Sequence, residues 1–211
     1  MSAREAVLGR IRDAVAATAV DATPVPREYR RHGEHAVGSA ALVDLLTDRL
    51  VDYKATVIRC GGDEPDIAGA VADALGRHGA TRVVAPSGLP TAWLPDRVED
   101  VDLGPADLDG LDGVVTGCAL AIAETGTIVL DGAAECGRRA ITLVPDLHVC
   151  VVRTDQVVQT VPEGIALLDP LRPLTFISGP SATSDIELRR VEGVHGPRRL
   201  VVVLARRRRR A

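Results

Sequence analysis

Ala55–Arg59 is a β-branched run that empties into Cys60-Gly61-Gly62, Pro65–Gly79 has helical spacing, and Arg82–Ala85 is a second β-branched run ending at Pro86-Ser87-Gly88. Strand, helix, strand in so short a stretch is the signature of a parallel βαβ unit. Antiparallel neighbours are joined by tight hairpins, so a helix placed between two strands commits the chain to a parallel sheet with a helical layer on its face. Pro near the start of the helix and Gly at its end mark its limits. Cys60-Gly61-Gly62 lacks G-x-G-x-x-G spacing, so no dinucleotide fingerprint follows the first strand.

The flanking segments extend this pattern. Ala3–Ala19 carries Ala6, Val7, Ile11, Ala14 and Val15 at helical spacing, and Ser39–Val51 carries Leu42, Leu45, Leu46 and Leu50 on one stripe. Between them Asp21–Gly38 is a polar connector with Pro24, Pro26 and Gly33, suited to reach over a neighbouring surface. His32 and His35 lie in it without a nearby third ligand, so no metal site is assigned to them. Pro90–Gly110 reads as an acidic loop region with a short strand near Val98–Leu103. From Gly113 onward strands dominate: Val114–Thr116, Leu120–Glu124, Thr127–Leu130, Ala140–Val144, Val149–Arg153, Leu174–Ile177 and Leu200–Ala205. Asp155–Val161 is expected to be the start of a helix with Asp155 as its N-cap, and another helix to span Ser181–Val191. No linker divides the chain, so residues 1–211 are expected to form a single domain, with 1–38 as helix and arm and 206–211 as a solvated tail.

Composition excludes several functions. The hydrophobic content of 46% is almost wholly aliphatic, with one Trp, one Phe and two Tyr, so stacking platforms for single-stranded nucleic acid are lacking. Net charge is −4 with Arg206–Arg210 included and −9 without those five arginines, which argues against a nucleic-acid footprint on the body. Cys60, Cys118, Cys136 and Cys150 show neither C-x-x-C nor zinc nor iron–sulfur spacing, so no metal or cluster is assigned to this chain. Apolar runs are too short to span a bilayer and the N-terminus lacks a signal-peptide pattern, so a reduced cytoplasmic setting is expected.

Four polar loops hold the candidate chemistry. Glu124-Thr125-Gly126-Thr127 is a turn between strands, with Gly126 at a φ > 0 position. Its backbone N–H groups and hydroxyls suit an anion, and Glu124 suits a base or nucleophile. Asp146 and His148 stand two apart on extended chain, a spacing that serves proton sharing or metal binding. Ser178-Gly179-Pro180-Ser181 with Thr183 and Asp185 empties a strand into an expected helix start, the geometry that holds phosphate or carboxylate. Ser184 and Glu187 fit a capping box there. Gly193-Val194-His195-Gly196 precedes the last strand. In a parallel-rich sheet such loops are expected to meet at the carboxyl edge. Neither a G-x-S-x-G elbow nor a P-loop is present.

Thr116-Gly117-Cys118, Ile122–Thr127, Leu143–His148, Ser178–Ser181 with Asp185-Ile186-Glu187, and Gly193–Pro197, in this order, resemble the LUD-domain family. The resemblance spans about Thr116 to Leu204. It implies an α/β fold with a parallel-rich sheet flanked by helices, similar to the sugar-isomerase and CoA-transferase group. It also implies a part in bacterial oxidation of L-lactate to pyruvate beside iron–sulfur partner subunits, with no cofactor of the chain's own. Relatives often carry Arg where this chain has Ala182, and the run Arg206–Arg210 is not a family feature. Two other readings of the same residues stay open. One is a stand-alone enzyme on a small phosphorylated or acyl substrate with Glu124 as base or nucleophile. The other is a non-catalytic assembly or regulatory protein.

Overall fold

The computed structural model describes residues 2–17, 25–180, 182–183, 191–192 and 196–206. In chain order the elements are α1 (Ala3–Ala17), α2 (Ala40–Asp52), β1 (Thr56–Cys60), α3 (Glu64–Arg77), β2 (Val83–Ala85), β3 (Val98–Glu99), α4 (Pro105–Asp109), β4 (Gly113–Thr116), β5 (Leu120–Ile122), β6 (Thr127–Leu130), β7 (Leu147–Arg153), β8 (Val157–Val158), α5 (Val161–Leu167), β9 (Thr175–Ile177), β10 (Ala182–Thr183), β11 (Val191–Glu192) and β12 (Arg199–Ala205).

Six strands form one sheet in the order β1-β12-β7-β4-β2-β3, and every neighbouring pair is parallel. The α/β class with a parallel sheet flanked by helices is therefore as the sequence implied. A parallel sheet must be covered on both faces, and the residue alternation shows how. Val149 and Val151 of β7 and Val201 and Val203 of β12 pack with Ile67, Val71 and Trp93 from α3 and the following 3₁₀ turn. Cys150, Val152, Val202 and Leu204 face the opposite way, onto Leu42, Leu46 and Leu50 of α2. That second face is shared with a smaller sheet, order β8-β5-β6-β9, which contributes Ala121, Ile128, Leu130 and Val157 to the same core. α5 covers the outer side of the small sheet, where Gly164 sits close to Ile122 and Leu120.

Local chemistry explains the element ends. Ser39 caps α2 by accepting from the Leu42 N–H, and Thr160 caps α5 through a reciprocal capping box with Glu163. Gly79, at φ +64°, ends α3 and lets the Ala80 N–H reach the Leu75 carbonyl.

Three expectations are corrected. Ala140–Val144 is not a strand: Arg139–Thr142 is a 3₁₀ turn, and Ile141 buries itself beneath β2 and β4. Asp155 does not open a helix; it lies in a 3₁₀ turn, β8 follows, and the helix begins at Val161 under its Thr160 cap. The helix expected over Ser181–Val191 is replaced at its ends by the antiparallel pair of β10 and β11, while residues 184–190, with the Ser184–Glu187 capping box, lie outside the described residues. Within 90–110, α4 joins the expected short strand. No described helix is long and apolar enough to cross a membrane.

Leu46 is fully buried between α2 and both sheets. Leu46→Ala is expected to lower the unfolding free energy by about 2–5 kcal/mol in chemical denaturation. Asp48→Ala, on the exposed side of the same helix, is expected to change it by less than about 0.5 kcal/mol.

Candidate functional site

His148 is the second residue of β7 and is almost wholly buried. Alternation puts it on the same face as Cys150, and the register with β4 brings Thr116 to that face as well. Thr116 Oγ1 and His148 Nε2 are 2.8 Å apart and hydrogen-bonded, the donor being set by the imidazole tautomer. Thr116 Oγ1 also lies 3.8 Å from Cys150 Sγ, and that thiol donates to the Gly117 carbonyl at 3.6 Å. The contact with Cys150 and then burial hold the Cys118 thiol well above its ordinary value. Burial likewise pushes Cys136 up to about 12. The contacts with Cys118, His148 and Thr116 draw the Cys150 pKa below its ordinary value against burial.

His148 forms the floor of a cleft of about 200 Å³, walled by Arg139, Thr142, Ser178, Gly179 and Gly196. Arg139 Nη1 donates to the Thr142 carbonyl at 2.7 Å and to its hydroxyl at 3.1 Å, which fixes the guanidinium at the rim. Partial burial lowers the Arg139 pKa, the desolvation that makes a cation receptive to an anion. Ser178 Oγ is 2.8 Å from Thr127 Oγ1, which is 2.7 Å from Thr125 Oγ1, so three hydroxyls form a chain leading from the cleft into the β5–β6 turn. Two glycines make this approach feasible. Gly126 has φ +58°, as the turn requires, and Gly179 has φ +86° with space for a Cβ blocked by the Tyr53 carbonyl at 2.7 Å.

The location differs from expectation. The cleft lies at the amino ends of β7 and β12, next to the end of β9, and not at the carboxyl edge of the parallel sheet. Asp146 stands just before β7 but is engaged by Arg198, whose Nε donates to Oδ1 at 2.5 Å. Asp146 and His148 thus take separate partners. Among the described residues no group of three or more His, Cys, Asp and Glu side chains is placed to hold a metal ion. Thr183 falls in β10, and Ser181, Asp185 and His195 lie outside the described residues.

Glu124 belongs to a second cluster. Its Oε2 accepts from Arg30 at 2.5 Å and its Oε1 from Gln159 at 3.1 Å. The Arg30 hydrogen bond holds the carboxyl below its ordinary value. Gln159 Oε1 in turn accepts the His35 N–H at 2.8 Å. Glu163 accepts the N–H groups of Gly33 at 2.9 Å, Gln159 at 2.9 Å and Thr160 at 2.8 Å. Burial raises Glu163, but those three backbone donors outweigh it and leave its pKa lowered. The polar connector therefore reaches across the small sheet, as its composition suggested, and is fastened by two carboxylates. Sequence reading missed Arg139, Gln159 and Glu163. Thr160-x-x-Glu163 with Pro162 is a capping-box pattern that could have been read, whereas Arg139 looked like any loop charge.

Fold and site together define an α/β protein with a central parallel sheet, a second sheet on one face and a basic, hydroxyl-lined cleft at the amino edge. The family model for the LUD domain matches residues 106–205. The chain is 49% identical over 189 residues to "Lactate utilization protein C" of Deinococcus radiodurans, covering 86% of this chain and 84% of that one. The chain belongs to the LUD-domain family. It is also similar to "Lactate utilization protein C" of Geobacillus kaustophilus, 33% identical over 113 residues, 48% of this chain and 47% of that one. A crystal structure of a DUF162 family protein from Deinococcus radiodurans superposes with a TM-score of 0.67 at 46% identity, covering 79% of this chain and 97% of that chain.

The lowered pKa values of Glu124 and Glu163 give the arm a pH dependence. A depressed carboxyl contributes stability that is present above its unfolded value and is lost as pH falls through the folded one. Amide exchange at Gly33 and His35 is therefore expected to remain protected at neutral pH and to accelerate, beyond the intrinsic trend, as pH falls below the ordinary carboxylate range. Glu163→Gln is expected to produce the same loss of protection at neutral pH.

Proposed function

We propose that this chain serves bacterial lactate utilisation and binds a small carboxylate in the amino-edge cleft. The observation that carries the reading is the convergence of Arg139, His148 and Ser178 on a cleft of about 200 Å³. A three-carbon hydroxy acid matches that volume and polarity. Its carboxylate pairs with the Arg139 guanidinium, and its hydroxyl is taken by Ser178 and His148. The names of the Deinococcus and Geobacillus relatives supply the physiological context.

Oxidation of L-lactate to pyruvate breaks one C–H and one O–H bond, forms a carbonyl and releases two electrons and two protons. In this reading the hydroxyl proton leaves by way of His148, the hydrogen of the broken C–H bond leaves as a proton to solvent, and the two electrons pass to iron–sulfur partner subunits, since the cysteines of this chain lack cluster spacing. Glu124, Gln159 and Glu163 act as positioning residues that fasten the arm over the small sheet. Ser178 lines the cleft, and Thr127 and Thr125 support its hydroxyl from behind.

Titration calorimetry with L-lactate is expected to show binding by the chain. Arg139→Gln is expected to weaken that binding about tenfold or more in a variant that circular dichroism shows to be folded. Wild-type affinity in Arg139→Gln overturns the assignment of the cleft. Lactate oxidation is expected to be negligible with the chain alone and to appear when iron–sulfur partner subunits are added; full turnover by the chain alone rules out the division of labour.

A further inference from the structure

The amino-edge cleft leaves the opposite edge of the parallel sheet unused, and that edge holds a larger cavity, of about 690 Å³. It sits outside the carboxyl ends of β1, β12 and β7, roofed by the start of α2. Chain direction explains why it is there. After β1 the chain turns into α3 on one face of the sheet, whereas after β7 it turns toward β8 on the other. β1 and β7 flank β12, so their connections leave toward opposite faces on either side of its carboxyl end and open a crevice there, and open α/β sheets bind ligands in such crevices.

Register decides what lines it. Arg59 of β1 pairs with Leu204 of β12, and Leu204 pairs with Val152 of β7. Leu204 and Val152 face α2. Alternation then brings Arg59, Arg206 and Thr154 to that same face at the mouth, two residues beyond Val57, Leu204 and Val152 respectively. All three line the cavity, with Val43 and Leu204 as its apolar wall and Ala40 at the positive end of the thirteen-residue α2. Two guanidinium groups from adjacent parallel strands thus frame one mouth. Arg59 is held there by Asp44 at 2.7 Å and by the Thr47 hydroxyl at 2.7 Å. Arg206 is the first of five consecutive arginines in the sequence.

We propose that this carboxyl-edge cavity is a second binding site, separate from the carboxylate cleft, and that it takes a phosphate-bearing ligand of nucleotide size. Arg59 and Arg206 grip the phosphates, the start of α2 adds its dipole, and Val43 and Leu204 receive the less polar remainder. Asp44 opposes the anion through its charge and competes with it for Arg59.

Titration calorimetry of the full chain with ADP tests the site. ADP is expected to bind, and Arg59→Gln and Arg206→Ala are each expected to weaken it about tenfold or more. Asp44→Asn is expected to tighten binding by freeing Arg59, a gain that misfolding cannot imitate. Arg139→Gln, at the other edge, is expected to leave ADP affinity unchanged, and a chain ending at Arg206 is expected to retain it. Absence of ADP binding overturns the proposal. So does binding that is indifferent to Arg59→Gln and Arg206→Ala and lost when residues 207–211 are removed, which would assign it to the arginine run alone.

Discussion

Seven residues of β7 lie in parallel register with seven of β12, and almost every one of their side chains is buried. Burial on both faces is the constraint from which the rest of the architecture follows. A pair of strands apolar on both sides requires two covering layers. α3 and the Trp93 turn supply one, and α2 with the small sheet supplies the other. The small sheet is therefore part of the core, and its loops are pinned where the central strands begin. That is what brings Ser178 and Gly179 over His148.

The same constraint makes the polar residues informative. A histidine in the second position of a buried strand needs a partner, and Thr116 provides it from the neighbouring strand. No buried side-chain nitrogen or oxygen among the described residues lacks a hydrogen bond. Three cysteines share that face, each as a small apolar filler with a weak donor. The described part of the molecule thus keeps its polar groups paired inside and gathers its charged groups at the two ends of the strands.

Much of this was legible in the sequence. The β-branched runs around Pro65–Gly79 announced the parallel unit, the leucine stripe announced α2, and Gly126 announced its turn. Short apolar runs were the weak point. Ala140-Ile141-Thr142-Leu143-Val144 has the composition of a buried strand, and composition does not separate a strand from a buried turn of helix. Asp155 is a good cap residue in isolation, but Thr160 had the carboxylate three residues later that completes a box. The edge at which the loops meet was not legible either, because it depends on strand order. β7 and β12 are neighbours in the sheet although β8, α5, β9, β10 and β11 lie between them in the chain. For the same reason Glu124 and His148, so close in sequence motif, end in different clusters.

The sheet's margins have a bearing on how the protein behaves in a crowded solution. β3, at one edge, is two residues long and offers almost nothing for a foreign strand to pair with. β1, at the other, is five residues long and would be a ready template. It carries Arg59, which a docking strand would have to strip from Asp44 and Thr47 before any ladder could grow. Charge on a long edge and brevity on the other are two ways of discouraging edge-to-edge association. The ion pair that frames the carboxyl-edge cavity therefore also guards against aggregation, so the same arginine that invites a small anion turns away another β-strand.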